Sequence, residues 1–247
     1  MIPFRADLHL HTVLSPCGDL EMSPSALVER AHLLGLNIIG ITDHNSTQHA
    51  RLIQELAAKK DIFTLSGAEV TSREEVHLLC FMPDGKRLDM LQEYIDTYLQ
   101  KVENNVKFFG EQLIVNEHEE ILEEEKYLLI NAIDQDVNQI SAFVLSNGGI
   151  FIPAHVDRQA FSLKSQLGFI PPDLIFDALE VSQHSTIEQI LKQFPYLSES
   201  TFLRSSDAHF IKDVGSSFTN FYLEEATFEE IRWALNNQNG RYIEIPE

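Results

Sequence analysis

The residues best suited to chemistry in this 247-residue chain are histidines and carboxylates at short, regular spacings. His9-x-His11 and Asp207-x-His209 each place two such side chains two residues apart, and Asp43-His44, Glu69, His77, His155 and Glu180 lie between them. In an extended strand, side chains alternate between faces, so positions i and i+2 point the same way and can bind one ion. Asp207-x-His209 repeats that geometry with one hard and one borderline ligand. A single His-x-His is weak evidence, since most such pairs sit on a surface or in a core. Several such groups spread through one chain point instead to a multi-metal centre. Imidazoles with carboxylates suit manganese, iron and zinc alike, so spacing does not choose among them.

The elements that must carry these residues read as alternating strands and helices. Residues 4–10 form a strand ending at His9 and His11, and 23–35 a helix with Ser23 as N-cap, Pro24 at its first position and Gly35 as stop. LNIIGITDH is a mostly apolar strand ending at His44, followed by a helix over about 46–60. DIFTLSGAEVTS carries Glu69 near its end, and VHLLCFM starts at His77. Strand-and-turn rhythm returns with GGIFIPAHV, FDALEVS, TFLRSSDAH and FTNFYLE, and TFEEIRWALNNQN reads as a last helix with a Thr227/Glu230 capping box. This βαβα order predicts an α/β fold with a parallel sheet or barrel. In such a barrel the C-terminal strand ends converge on one face, where active sites are built. Most of the candidate ligands track that position.

Between about 87 and 130 the rhythm breaks. Residues 87–109 have helical periodicity, 111–125 read as a hairpin around an acidic turn, and 134–147 as a helix closed by Asn147-Gly148-Gly149. The expectation is one domain over 1–247 with an insertion or lid at about 87–130. Six of the nine residues of EHEEILEEE are Glu, which reads first as a solvated acidic face.

The formal net charge is −20. Nucleic-acid affinity rests on Lys and Arg neutralising phosphates, so the composition argues against long nucleic acid as a partner and leaves room for a small phosphorylated substrate. Bound cations can still dominate the field inside a site. Two cysteines, Cys17 and Cys80, make no disulfide framework. No apolar h-region follows the first residues, and no run approaches the roughly 18 apolar residues of a membrane span. A cytoplasmic protein without a membrane partner is expected; the oligomeric state is not encoded in any pattern.

The segments DLHLHTVLSPCG, GITDHN, GAEVT, PAHV and SSDAH, taken in order from Asp7 to His209, resemble the PHP (polymerase and histidinol phosphatase) family. The resemblance implies a distorted, TIM-like (β/α)7 barrel, two or three divalent metal ions and phosphoesterase chemistry. It implies one ion held by His9, His11, Glu69 and Asp207, and a second sharing Glu69 and adding His77 and His155. A third would use His44, His209 and a ligand from the loop after the first strand. Many relatives read Ser-Asp-Gly there, whereas this chain has Ser15-Pro16-Cys17-Gly18-Asp19. Asp19 is the preferred ligand because a carboxylate suits phosphate chemistry, with Cys17 as the alternative that would bias the site toward zinc.

The implied mechanism is attack of a metal-bound hydroxide on phosphorus, with Glu69 and Asp207 as the catalytic carboxylates. Arg158 is a candidate phosphate clamp, and His184 a candidate substrate contact at the cavity mouth. Asp7 shares strand parity with His9 and His11 and is expected to buttress them. Asp43 is expected to orient a ligand histidine or support the strand turn. His32, His49 and His118 carry no assigned chemistry. The alternatives are exonuclease-like trimming of short oligonucleotides, a catalytically silent metal-binding module, and hydrolysis at carbon as in amidohydrolases.

Overall fold

The computed structural model describes residues 1–246. The chain begins β1 (Ile2–Leu10), α1 (Pro24–Leu33), β2 (Ile38–Ile41), α2 (Ala50–Ala58), β3 (Phe63–Thr71) and β4 (His77–Phe81). The middle segment holds α3 (Gly85–Tyr98), α4 (Val106–Phe109), β5 (Leu113–Val115), β6 (Ile121–Glu124) and α5 (Val137–Ser146). It ends with β7 (Ile150–Pro153), α6 (Leu163–Leu167), β8 (Leu179–Glu180), α7 (Ile187–Gln193), β9 (Phe202–Leu203), β10 (Thr219–Leu223), α8 (Phe228–Leu235) and β11 (Tyr242–Glu244).

Seven strands form one curled sheet in the order β11-β10-β1-β2-β3-β4-β7. The β1, β2 and β3 ladders are parallel, as expected, but β4 runs antiparallel to both β3 and β7. The sheet therefore departs from a repeating βα pattern. The physical reason is the short link after Thr71: residues 72–76 leave room for a tight connection and none for a crossover helix. A parallel β8–β9 pair fills the gap between β7 and β1. Val156 donates to the Glu180 carbonyl (2.8 Å) and Asp177 to that of Phe151 (3.0 Å), while His11 donates to the Ala208 carbonyl (3.1 Å) and Ala208 to that of His9 (3.3 Å), so the curl is closed by isolated bonds rather than by a ladder.

Apolar side chains separate into two layers. Leu27, Val28, Ile53, Ile41, Val70 and Leu78 pack helices onto the outside of the sheet. Ala6, Leu8, Leu65, Leu79, Ile152 and Leu203, from five different strands, meet inside the curl. Period-2 alternation puts Glu69 on the same face as Leu65, and His77 on the same face as Leu79. The polar cluster thus caps an apolar floor. β1 reaches the same result by an irregularity. Ala6 and Leu8 belong to the inner layer but Leu10 to the outer one, and the β1–β2 register shifts between Asp7 and Leu10. The facing reverses there, which turns His9 and His11 inward. Gly40 of β2 lies against this point: a Cβ on it would meet the Leu8 carbonyl oxygen at 2.3 Å.

Local signals hold at the helix starts. The Ser23 hydroxyl accepts from the Ala26 amide and Gly35 takes a left-handed φ of 66°. Thr227 caps α8, but Glu230 does not complete the box; its carboxylate pairs with Arg241 (2.6 Å) and accepts from the Glu224 amide. In the 87–130 segment, α3 stops at Tyr98 because Leu99 turns extended and bridges to Ile133, and Glu103 bridges to Tyr127. The expected hairpin is β5–β6. Among the described residues, no helix is long and apolar enough to cross a membrane.

Candidate metal centre

Glu69 is the hub of the site. Its buried carboxylate lies 3.2 Å from His9 Nε2, 2.9 Å from His77 Nδ1 and 3.5 Å from His155 Nε2 through Oε1. Through Oε2 it lies 3.1 Å from His44 Nδ1 and 3.4 Å from His11 Nε2. Asp207 Oδ1 adds a second carboxylate, 3.3 Å from both His9 and His11 Nε2 and 3.6 Å from His209 Nδ1. β4 brings His77 here although it begins a strand, because an antiparallel strand starts beside its neighbour's end. Thr71 pairs with His77 in that ladder.

Several of these contacts are at hydrogen-bond distance without hydrogen-bond geometry. Glu69 Oε1, His44 Nδ1 and His155 Nδ1 are buried and have no hydrogen-bond partner. Buried polar atoms left unpaired are costly, and a cluster of them asks for a missing charge. The spacings fit a cation. With metal–ligand bonds of about 2.0–2.2 Å, adjacent corners of a tetrahedron or octahedron lie about 3.0–3.5 Å apart. His9, His11 and Glu69 form one compact group of ligand atoms, His44, Glu69 and His77 a second, and His11, His44 and His209 a third.

The field inside the site is that of excess negative charge. Burial opposes a charged ring at His9, but Asp207, Glu180 and Glu69 together outweigh it and raise its pKa well above the usual value. A cation at Nε2 would take the place of that proton. Burial and then the neighbouring rings push His44 well below the usual imidazole range, and burial and then His11 push His209 to about 4. Burial alone would raise the carboxyls of Glu69 and Asp207; the surrounding histidines reverse it and hold both well below their ordinary values.

A polar shell fixes which ring nitrogens face inward. His9 Nδ1 donates to Glu180 (3.0 Å), which also accepts from the His155 amide (2.9 Å), leaving Nε2 for the centre. The Ser15 hydroxyl donates to Asp43 Oδ1 (2.7 Å), so it accepts from His11 Nδ1 (3.0 Å) and from the His44 amide (3.2 Å). His11 therefore also presents Nε2. The chain continues outward. Thr12 donates to Asp43 Oδ2 (2.8 Å), His49 Nδ1 donates to Thr12 (2.7 Å), and the Val115 amide of β5 donates to His49 Nε2 (3.0 Å). Imidazoles oriented by such partners are the usual pattern at metal sites.

His9, His11, His44, Glu69, His77, His155, Asp207 and His209 are thus brought together. Asp43 supports them through Ser15 rather than by touching a histidine. Asp7 lies by the His9 backbone amide but does not reach the rings of His9 or His11: the irregularity in β1 turns it away from them, and it accepts from the Ser206 amide (2.9 Å), the Ser206 hydroxyl (2.6 Å) and the Gly215 amide (2.9 Å). It ties down the loop carrying Asp207 and His209, and burial pushes its carboxyl up to about 6. Neither Asp19 nor Cys17 enters the compact ligand groups of the described residues. Asp19 accepts from the Glu21 amide (2.9 Å). Cys17 is exposed as a residue, yet desolvation of its sulfur and the charge of Glu69 push its thiol up. The loop holding both is braced by residues 110–113. Leu113 donates to the Val13 carbonyl, and Gly110, at φ 96°, packs so close that a Cβ would lie 2.2 Å from the Pro16 oxygen.

Arg158 bonds Asp207 Oδ2 at 2.6 Å, and the exposed His184 shares a shallow cavity with it beside His155, Glu180 and Ser206. Sequence reasoning missed the roles of Ser15 and His49. It noted Glu180 at a strand end without assigning it to a ring. Only the strand-end placement of Glu180 could have found one of them.

The PHP domain family matches residues 7–156, more than half of the chain. The chain belongs to the PHP family. Members of this family are metal-dependent phosphoester hydrolases. Among curated relatives, the uncharacterized protein YqxK of Bacillus subtilis (strain 168) is 24% identical over 269 residues, covering 96% of this chain and 63% of YqxK. Among solved structures, the lesion-specific endonuclease PfuEndoQ from Pyrococcus furiosus superposes with a TM-score of 0.70 at 22% identity, over 98% of this chain and 58% of that one. A protein assigned as a metal-dependent phosphoesterase from Bifidobacterium adolescentis gives 0.60 at 20% identity, over 83% of this chain and 87% of its own. The PHP chain described here thus spans less than two thirds of YqxK and PfuEndoQ.

One expectation is corrected by these likenesses. The net charge of −20 argues against long nucleic acid and, with the family resemblance, for a small phosphorylated partner. Endonuclease Q, of similar fold (TM-score 0.71, 20% identity, 98% of this chain and 58% of that one), holds a 27-mer duplex with an abasic lesion at its active site. Net charge averages over a whole surface, while a strand is held by local contacts and by cations that reverse the sign of the field.

Proposed function

We propose that this PHP chain hydrolyses phosphodiester bonds in a nucleic-acid strand, using divalent cations held around Glu69. The observation that carries the reading is the convergence of five imidazoles on one buried carboxylate whose Oε1 lacks a hydrogen bond. Likeness to Endonuclease Q over nearly the whole chain supports a nucleic-acid substrate. His9, His11, Glu69 and Asp207 would hold one ion, His77 and His155 a second with Glu69 shared, and His44 and His209 a third with a ligand from the 15–19 loop. When bound, such ions supply charge neutralisation and a water acidic enough to ionise near neutral pH.

The chain's own residues do the rest. Glu180 and Ser15 keep Nε2 of His9 and His11 directed inward. Asp43 and Thr12 hold Ser15 in its accepting orientation. Arg158, whose side chain is 41% exposed on Asp207, is placed to exchange that carboxylate for a phosphate oxygen. The apolar floor of Leu65, Leu79 and Ile152 excludes water from beneath and strengthens each charge interaction above it.

The test is to strip the protein with a chelator and restore manganese, iron and zinc separately. Each form is then offered labelled single strands and duplexes, with and without an abasic site, beside a panel of small phosphate monoesters. Metal-dependent cleavage of oligonucleotides is expected. Metal uptake with no oligonucleotide cleaved by any form would overturn the reading.

A further inference from the structure

The loop between His155 and α6 presents a second side chain beside Arg158. Phe161 has a φ of 56°, in the left-handed region that a residue with a Cβ rarely adopts. The conformation is imposed from both sides. The Phe161 carbonyl accepts from the His77 amide (2.9 Å), and the next residue, Ser162, donates its hydroxyl to the Arg158 carbonyl (2.7 Å) while capping α6. Strained backbone held this firmly clusters at functional sites.

Packing does not account for the side chain so presented. Phe161 joins neither apolar core cluster of the described residues and remains 44% exposed. Its one aromatic neighbour among the described residues is His77, with ring centroids 4.7 Å apart and planes inclined by 14°. His77 in turn touches Glu69 Oε1. The ring therefore lies one side chain away from the hub of the metal centre. Arg158, three residues earlier, reaches Asp207 on the other carboxylate of that centre. A phosphodiester held between Arg158 and the cluster brings a flanking nucleotide to the exposed part of the Phe161 ring.

We infer that Phe161 is the platform on which a nucleobase flanking the scissile phosphodiester stacks. The inference rests on the nucleic-acid reading above and adds a specificity-determining residue to it. Base–aromatic stacking is tolerant of sequence, because every base has a π-face. The platform would therefore recognise the presence of a base rather than its identity.

The experiment is an abasic walk crossed with substitution of Phe161. Oligonucleotides lacking one base at each position around the cleaved bond are assayed with the wild-type protein and with Phe161→Ala, Phe161→Leu and Phe161→Trp, metal content being measured for each. In the wild type, one flanking position should raise KM roughly 5- to 100-fold when its base is removed. That penalty should fall to about twofold or less in Phe161→Ala and Phe161→Leu, and persist in Phe161→Trp. Phe161→Leu keeps apolar cover over His77, so it separates stacking from support of the metal site. Equal penalties at every position in the wild type and Phe161→Leu would overturn the inference while leaving the nucleic-acid reading intact. Absence of any oligonucleotide cleavage by the wild type would overturn both.

Discussion

The two sides of the metal centre are built differently. His9 and Glu69 sit on β1 and β3, with His11 just past the end of β1; Glu69 is paired with Leu79 in a continuous ladder. His155, Asp207 and His209 follow strands of four residues or two, and two of them stand on left-handed backbone, φ 29° at His155 and 52° at Asp207. Such a conformation costs a non-glycine residue about 1–2 kcal/mol. Side chains replace the ladder there. Asp7 holds Ser206 and Gly215, Asp157 holds Ser182, and Glu180 holds the His155 amide. One side is rigid because its backbone is paired. The other is held by individual polar contacts, and it carries the loop of Arg158 and Phe161.

The largest expected effect, on the ladder side, is from Glu69→Gln. It removes a charge shared by two of the implied ions, and activity should fall by roughly a thousandfold or more with loss of bound metal. Far-UV circular dichroism and melting temperature should barely change, because β3 keeps its pairing. Asp207→Ala on the other side should lose at least one ion and about a hundredfold or more in turnover. It should also quicken amide hydrogen exchange over 205–215, since it frees strained backbone from Arg158. Full activity with unchanged metal content would remove Asp207 from the site, and equal exchange behaviour in the two variants would dissolve the contrast between the sides.

Glu180→Gln tests the outer shell. Metal affinity should weaken roughly 10- to 100-fold, as for other partners of ligand histidines; isothermal titration with zinc or manganese reads it directly. Smaller still is His49→Gln, which interrupts the path from Val115 to Asp43 and should cost about 1–3 kcal/mol of stability. Burial lowers the pKa of His49 from its usual 6.5. The unfolded chain therefore takes up a proton below that value while the folded ring does not, so this residue's contribution is present above pH 6.5 and is lost as pH falls through its folded pKa. The gap in melting temperature between wild type and His49→Gln should narrow from about pH 7.5 to about pH 5. The smallest effect expected is from Cys17→Ser, which should leave metal content unchanged. If that substitution alone empties one position, Cys17 rather than Asp19 completes the third group.

Much of the site was legible because its residues obey local rules. His-x-His, Asp-x-His and Glu69 lie near strand ends, and strand ends are readable from apolar runs and the turns that follow them. Facing was less legible. Parity placed Asp7 with His9 and His11, but the register shift in β1 sends it to the Ser206 loop, and nothing local announces an irregularity that depends on Gly40 of another strand. His49 fell within a stretch that reads as helix, whereas it precedes α2 and is buried between Thr12 and Val115, partners 37 and 66 residues away. Charge misled for a related reason. A sum over 247 residues does not say where the negative charge sits.

Residue type and spacing by themselves determined that this chain carries histidines and carboxylates that could hold metal ions on an α/β sheet, since period-2 alternation and strand-end placement are properties of a few adjacent residues. Tertiary structure alone decided that β4 runs antiparallel, that Glu69 is the hub, and which nitrogen each of His9 and His11 turns inward. It also decided that Arg158 and Phe161 flank the centre. Each of these depends on contacts between segments far apart in the chain, made only when the curled sheet closes through β8 and β9.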